Sequence, residues 1–170
     1  MRLIRFGLIS ILVLFIIVTS ISLLFPSTVI VSRAVNINMP KDSIIYLVKD
    51  LNGWKLWIDG MEKSSVKIIS STEADLAGTK VLIDTTSKYS IHSSWENKSK
   101  KMNSVINLLQ DSATKITLVQ WQFEQHLKWY PWEKFASMMN DKILGTMMEN
   151  NLARLKSILE KTPLPVTMEN

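Results

Sequence analysis

Hydrophobic and polar positions follow three different patterns along this chain. Residues 6–25, FGLISILVLFIIVTSISLLF, form an apolar run without a single charge. From Val29 to Ile37, apolar side chains recur mainly at every second position, as in a strand with one buried face. From Asp141 to Lys161 they recur every three or four positions, as on one face of a helix. These patterns predict a helix of membrane length, a strand and a long amphipathic helix.

The N-terminal apolar run makes a helix of about 30 Å, which matches the hydrocarbon core of a bilayer. Arg2 and Arg5 precede it, and basic flanks favour the cytoplasmic side. We therefore expect residues 1–26 to be an uncleaved single-pass membrane anchor with a cytoplasmic N-terminus and an exported domain, on the periplasmic side of the inner membrane in a bacterium. A cleaved signal peptide is one alternative, although residues 20–22 (SIS) are a poor cleavage site. A buried helix of the following domain is the other.

Turn residues divide the middle of the chain into short elements. Pro40 is placed to open a helix that Asn52-Gly53 ends, and a second helical turn then carries Trp54 and Trp57. Five further strands are predicted, and a polar connection that ends at Gly78 lies between the first two of them. The strand candidates are 66–71, 79–85, 89–96, 102–109 and 114–124. Consecutive strands joined by such short connections form antiparallel pairs.

The long helix has the most regular periodicity in the chain, and it must bury its apolar stripe. The stripe consists of Leu144, Met148, Leu152, Leu155 and Leu159. A curved antiparallel sheet with one apolar face is the available partner surface. The order of elements therefore predicts an α+β domain over residues 27–162, in which a curved antiparallel sheet of about six strands wraps around the long C-terminal helix. Two short helices close one end of the sheet, and residues 163–170 form a loose tail.

The element order and three sequence motifs resemble the START-like (SRPBCC) helix-grip superfamily. The motifs are the first-strand VSRAVNINMP, the turn DLNGWKLWI and the closing DKILGTMMENNLARLKSILE, with Gly145, Glu149, Leu152, Leu155 and Lys156 in register. Within the superfamily, residues 28–161 are most similar to polyketide cyclase/dehydrase and lipid-transport proteins. The resemblance implies an apolar cavity between the sheet and the helix. It implies no catalytic residue, because members range from lipid carriers and hormone receptors to a few enzymes.

Composition and charge exclude several kinds of site. The chain has no cysteine, which rules out disulfides, thiolate chemistry and cysteine-based zinc sites. Its net charge of +5 comes partly from the two N-terminal arginines. The basic cluster Lys98 to Lys101 lacks arginine and is expected to be a solvated hairpin turn, not a nucleic-acid patch. His92 and His126 lie on different predicted elements and are expected at the surface. We expect no metal, no cofactor, no catalytic residue and no nucleic-acid partner.

The side chains that face the long helix predict the lining of a ligand pocket. Aromatic and aliphatic residues contribute it from the short helix, the sheet and the long helix: Trp54, Trp57, Trp95, Val119, Trp121, Phe123, Met148 and Leu152. Arg33 belongs to the same set, because it shares a strand face with Val31 and Val35, where a guanidinium needs a partner or a route to water. Three interpretations of Arg33 remain. Its head group reaches the rim of the sheet, or its head group holds the carboxylate or phosphate of a ligand, or the register of the strand differs from the predicted one.

Two further groups lie near the start of the long helix. Met138, Met139, Met147 and Met148 suit either ordinary core packing or an adaptable ligand surface. The run WYPW at 129–132 is expected to pack against the domain. A pocket mouth and the membrane interface, where Trp and Tyr are enriched, are its alternatives.

Three classes of function are compatible with these features. The first is a membrane-tethered module that binds a lipid-like apolar or amphipathic small molecule. The second is a cyclase- or dehydrase-like enzyme, which requires acid and base groups on the cavity face, where only Arg33 and, more remotely, Tyr46 and Tyr89 are available. The third is a protein-interaction domain with a filled core. Cavity volume separates the third class from the other two, and the sequence does not determine the oligomeric state.

Overall fold

A computed structural model describes residues 2–24, 26–98, 100–111, 114–128 and 130–161. Within these ranges the helices are α1 (Arg2–Leu24), α2 (Lys41–Val48), α3 (Leu51–Trp57) and α4 (Pro131–Glu160). The strands are β1 (Thr28–Ile37), β2 (Val66–Ile68), β3 (Glu73–Leu76), β4 (Thr79–Asp84), β5 (Ser90–Asn97), β6 (Lys100–Gln110) and β7 (Thr117–His126). The predicted tail at 163–170 lies outside the described residues.

The strands form one antiparallel sheet in the order β1-β7-β6-β5-β4-β3-β2. β1 pairs along its whole length with the last strand, so that Val31 lies opposite Phe123 and Ile37 opposite Thr117. The chain then crosses to the far edge of the sheet through α2 and α3 and returns strand by strand. α4 packs against the concave face and contacts β1 and α3. The predicted α+β helix-grip arrangement is confirmed.

The sheet has seven strands, one more than predicted, because β3 occupies part of the segment expected to be a polar connection. β3 pairs with β2 on one side and β4 on the other. Ala74 is completely buried opposite Val81, which is buried as well. A single small apolar residue between acidic neighbours gives almost no alternation for sequence analysis to detect. The following turn uses positive φ angles at Ala77 and Gly78, 55° and 89°.

The break between the two short helices lies earlier than Asn52-Gly53, where it was predicted. α2 ends at Val48, and Asp50 is the N-cap of α3, its carboxylate accepting the backbone N–H of Asn52 at 2.8 Å. Gly53 therefore lies inside α3, where the lack of a side chain allows the helix to approach α2 closely. A Cβ there would lie 2.6 Å from the carbonyl oxygen of Leu47, so only glycine lets α3 pack this closely on the end of α2.

α4 is one continuous helix of 30 residues with Pro131 in its first turn, and it ends at the left-handed Lys161. Met148, Leu152 and Leu155 are buried against the sheet, and Leu144 and Leu159 are partly buried at either end of the same stripe. This arrangement confirms the predicted stripe. The three buried side chains contribute roughly 1.5–3 kcal/mol each to the stability of the domain.

α1 stands apart from the domain over most of its length. Within the described chain it has one stretch that is long and apolar enough to cross a membrane, Ile4–Leu24, and only 6% of the tested window is buried in the protein. A membrane span and a signal sequence both have this character. A buried core helix does not, so the interpretation of this run as part of the domain core is wrong. Only three residues separate Leu24 from the start of β1.

Candidate functional site

A closed ring of five aromatic side chains occupies the space between the sheet, α3 and α4. Trp54 stacks on Trp95 with 5.8 Å between ring centroids, and Trp57 contacts Trp121 edge-on at 5.5 Å. Phe123 contacts both Trp95 and Trp121 at 5.3 Å, and the two tryptophans of α3 contact each other at 6.1 Å. Offset and edge-to-face pairs at these distances stabilise the core beyond simple area burial.

The two tryptophans of α3 are also fixed by hydrogen bonds to α2. The indole N–H of Trp54 donates to the carbonyl oxygen of Val48 at 2.7 Å, and that of Trp57 donates to Leu47 at 3.1 Å. The last carbonyl groups of a helix lack intrahelical partners. The two indole N–H groups therefore cap the end of α2, which the sequence did not predict. Their rings close the end of the grip, as predicted for the short helices.

Beside this aromatic ring lies a cavity of about 250 Å³ between the sheet, α4 and the loop that follows α3. Trp95 and Trp121 form its wall on the sheet side, and Met147 forms its wall on α4. The remaining lining comes from the loop and from β2 and β3: Ile58, Asp59, Gly60, Met61, Lys63, Ser65, Val66, Leu76 and Ala77. Two ionisable side chains, Asp59 and Lys63, lie on its loop side. It is mainly apolar and open at one side, and we take it as the candidate site.

The predicted pocket residues divide between this cavity and the core. Seven of the nine are buried and hold the domain together: Trp54, Trp57, Val119, Trp121, Phe123, Met148 and Leu152. Trp121 also lines the cavity, as does Trp95, which is partly buried. Sequence analysis missed the loop residues Ile58 and Met61. The sequence does contain a signal for them, because they are two isolated apolar residues that follow Trp57 in an otherwise polar connection.

Arg33 lies on the inward face of β1, as the alternation predicted, beside its cross-strand neighbour Trp121. Its Nε donates to the carboxylate of Glu149 at 2.5 Å, and its Nη1 donates to the carbonyl oxygen of Ser32 at 2.8 Å. The side chain is 31% exposed, so the guanidinium has both a partner and a route to water. It is not part of the cavity lining. The predicted strand register holds.

The loop that covers the cavity is tied to α4 through Asp59. The backbone N–H of Asp59 donates to Oδ1 of the buried Asn151 at 2.9 Å, and its carboxylate lies 3.9 Å from the guanidinium of Arg154. The Nδ2 group of Asn151 is buried and has no hydrogen-bond partner in the described part of the protein. These contacts hold the loop over the cavity from the side of α4.

A larger concave region of about 560 Å³ lies outside the grip, between α2 and the turns that follow β2 and β4. It is lined mainly by polar side chains. The hydroxyl of Tyr89 donates to Asp42 at 2.8 Å, and the ammonium of Lys88 lies 3.3 Å from the same carboxylate. These contacts hold the pKa of Asp42 below its usual range, and Tyr89 and Asp42 together raise the pKa of Lys88. Such a surface suits water better than an apolar ligand.

The remaining candidate chemistry lies at the surface or forms no cluster. His92 and His126 are exposed, as predicted. Among the described residues, no group of three or more histidine, aspartate or glutamate side chains is arranged to hold a metal ion. Met148 is buried and Met139 exposed, so the methionines form no single surface. The side chain of Met138 and the whole of Trp129 lie outside the described part of the chain.

Structural neighbours have the same architecture. A START superfamily protein from Mycobacterium smegmatis superposes with a TM-score of 0.61 at 15% identity, covering 78% of this chain and 97% of its own. CalU16 from Micromonospora echinospora gives 0.56 at 17% identity, covering 83% and 79%. A protein from Nitrosospira multiformis gives 0.59 at 15% identity, covering 77% and 96%. The chain therefore has the START-like helix-grip fold.

Sequence comparisons add no closer assignment. No protein-family model matches the chain, and no curated protein matches it. Identities of 15–17% to the structural neighbours establish the fold alone.

Proposed function

We propose that this protein is a membrane-tethered START-like domain that binds an apolar or amphipathic, lipid-like small molecule between its sheet and α4. The observation that carries the proposal is the mainly apolar cavity bounded by Trp95, Trp121 and Met147, on the helix side of the sheet. Sites for small molecules are typically concave, mostly apolar and furnished with a few polar groups. Here Asp59 and Lys63 provide polar groups at the loop side.

The size of the cavity limits the ligand. Its volume of about 250 Å³ lies just below the roughly 300–1,000 Å³ common for drug-sized ligands. It therefore takes one acyl-chain segment or one small ring, and the rest of a larger ligand extends through the open side. A neutral or weakly polar head group near Asp59 and Lys63 fits this arrangement.

Native mass spectrometry of the detergent-extracted full chain tests the proposal, because a bound lipid-like molecule adds a defined mass. The matched variants are Met147→Trp, which fills the cavity from α4, and Thr146→Trp, which adds the same side chain at an exposed neighbouring position outside the cavity. We expect the adduct to persist in Thr146→Trp and to be lost in Met147→Trp. Equal retention in both variants, or no adduct in the unaltered protein after incubation with fatty acids and isoprenoids, would contradict ligand binding at this cavity.

The tether is the second part of the proposal, and the apolar surface of α1 supports it. Bacterial cells that express the full chain are fractionated, the membranes washed with carbonate, and spheroplasts treated with protease. We expect the full-length chain to stay in the membrane and the domain to be digested from outside. Release by carbonate, or a mass that lacks residues 1–26, would show a cleaved signal instead.

A protein-interaction domain with a filled core is the second candidate, and the packing of the aromatic ring favours it. Trp54, Trp57 and Trp121 are each completely buried, so the centre of the grip is occupied by side chains and not by open space. The mass measurement separates the two candidates. An interaction domain retains no small molecule whichever residue stands at position 147.

A further inference from the structure

The first half of α4 carries an exposed apolar stripe that the core does not use. Trp132, Met139 and Ile143 are 61%, 72% and 68% exposed, and Ala136 and Met147 continue the same row. The spacing of four, three, four and four residues places these side chains on one face of the helix. A row of large apolar side chains on one exposed helix face indicates a surface that binds something.

The same face of α4 becomes polar in its second half. Asn150 lies seven residues, or about two helical turns, after Ile143, and its amide side chain is exposed to water. Arg154 follows one turn later and lies 3.9 Å from Asp59. The large side chains that are more than half exposed, Trp132, Met139 and Ile143, therefore all lie in the part of α4 that precedes the cavity, and beyond Asn150 and Arg154 only the 39% exposed Ile158 is a large apolar side chain on this described face.

α1 meets α4 at this apolar half. The ammonium of Lys134 is buried and donates to the carbonyl oxygen of Ser22 at 2.8 Å, two residues before the end of α1. A lysine at this place complements the unpaired carbonyl groups of the helix end. Ser22 is fully buried, whereas the side chains from Ile4 to Ile17 are exposed. Among the described residues, the contact between α4 and α1 therefore lies near the C-terminal end of α1, inside the stretch Ile4–Leu24 that is apolar enough to span a bilayer.

From this placement we infer that the first half of α4 lies in the outer interface of the bilayer that holds α1, with Trp132, Met139 and Ile143 in contact with lipid. The inference rests on the tether of the proposed function. Only three residues link α1 to β1, which keeps the domain within roughly 10–15 Å of the end of α1. The stripe is about 22 Å long, so α4 lies nearly parallel to the membrane plane.

Two further observations fit lipid better than a second protein surface. Trp132, the first residue of the stripe, stacks on Tyr130 with 4.9 Å between ring centroids, and such aromatic rings are enriched at membrane interfaces. The stripe also ends at Met147, which lines the cavity. A lipid-like ligand that leaves the bilayer along the stripe reaches the cavity without crossing water.

Site-directed spin labelling tests this contact directly, because the chain has no cysteine and each single-cysteine variant carries one label. The full chain is reconstituted into vesicles of phosphatidylethanolamine and phosphatidylglycerol. Met139→Cys and Ile143→Cys test the stripe, Asn150→Cys is the matched control on the same helix face, and Leu12→Cys reports on the span. Accessibility to oxygen, which concentrates in lipid, is compared with accessibility to a water-soluble nickel chelate.

We expect the labels at positions 139 and 143 to favour oxygen over the nickel chelate, as the label at position 12 does, and the label at position 150 to favour the nickel chelate. Labels at 139 and 143 that are as accessible to nickel as the control would overturn the contact and leave the tether intact. Strong spin–spin broadening at both positions would overturn it in favour of a second copy of the chain. A label at position 12 that does not reach lipid would overturn the tether, and this contact with it. Ligand binding is measured separately by mass.

Discussion

The guanidinium of Arg33 on β1 lies against the backbone of Gly145 on α4. The strand and the helix approach closely here because glycine has no Cβ. A Cβ at Gly145 would overlap Nη2 of Arg33 where that atom now lies. One turn further along α4, Glu149 accepts a hydrogen bond from the same guanidinium. The glycine and the glutamate of the closing sequence motif thus serve one arginine, which fixes the position of α4 against β1.

Gly53 in α3 and Gly145 in α4 predict different outcomes for the same substitution. Gly53→Ala places a Cβ against backbone atoms of Leu47, which have no room to move, and should lower the free energy of unfolding by about 2–3 kcal/mol. Gly145→Ala meets only the end of the flexible Arg33 side chain, and the helix gains up to about 1 kcal/mol of propensity. Its net change should stay within about 1 kcal/mol. Urea titration of both variants in nonionic detergent checks the difference. Similar losses in the two variants would contradict it.

The buried stripe of α4 should dominate the stability of the domain. Leu152→Ala and Leu155→Ala should each lower the free energy of unfolding by about 2–5 kcal/mol, because both side chains are buried against the sheet. Asn150→Ala, at an exposed position of the same helix, is the control. It should raise the free energy of unfolding by no more than about 0.7 kcal/mol, because alanine has the higher helix propensity. Denaturant midpoints that move equally in all three variants would show that the stripe does not hold the helix.

The indole hydrogen bond of Trp54 can be separated from its packing. Trp54→Phe keeps an aromatic ring but leaves the buried carbonyl of Val48 without its donor, which should cost about 1–3 kcal/mol. Trp54→Ala should cost about 3–5 kcal/mol, since it also removes the ring. Trp132→Phe is the control, because that side chain is 61% exposed. Unfolding curves in which Trp54→Phe matches the unaltered protein would show that the hydrogen bond contributes nothing.

The contact between Tyr89 and Asp42 predicts a titration shift. Tyr89→Phe removes the largest contribution that lowers the pKa of Asp42, so this pKa should rise toward its usual value. In the unaltered protein the lowered pKa adds stability above the ordinary pKa of an aspartate, and this stability is lost as the pH falls through the folded-state value. The variant should lose part of this pH dependence. Carboxyl-carbon NMR titration measures the shift, and an unchanged pKa of Asp42 would contradict the assignment.

Glu149 should compete with anionic ligands for Arg33. Trp121 lines the cavity and is the cross-strand neighbour of Arg33, so a ligand carboxylate near the indole can approach the guanidinium. Glu149→Gln should therefore tighten the binding of a fatty acid by up to about fivefold, the value of an exposed ion pair. The methyl ester of the same acid should bind equally to both proteins. Equal changes for acid and ester would show that Arg33 does not take part in binding.

Patterns of local periodicity were sufficient to predict most of the fold. β1, the last strand and the α4 stripe follow simple alternation or helical spacing, and burial follows these patterns because each element has one face on the core. β3 was missed because the burial of Ala74 depends on its cross-strand partner Val81. The helix break at Asp50 was misplaced because Gly53 suggests a stop, whereas its actual role is contact with Leu47.

The sequence by itself determined which faces are apolar, that one helix is long enough to span a membrane, and that Arg33 points inward. Only the tertiary structure decided which apolar side chains fill the core and which leave space. Trp54 and Trp121 carry the same side chain, yet Trp121 borders the cavity and Trp54 does not. The loop from Ile58 to Lys63 forms another side of this cavity. Periodicity indicates only which face of a helix or strand a residue lies on. A cavity forms where surfaces from distant parts of the chain do not pack against one another, and this depends on the tertiary structure.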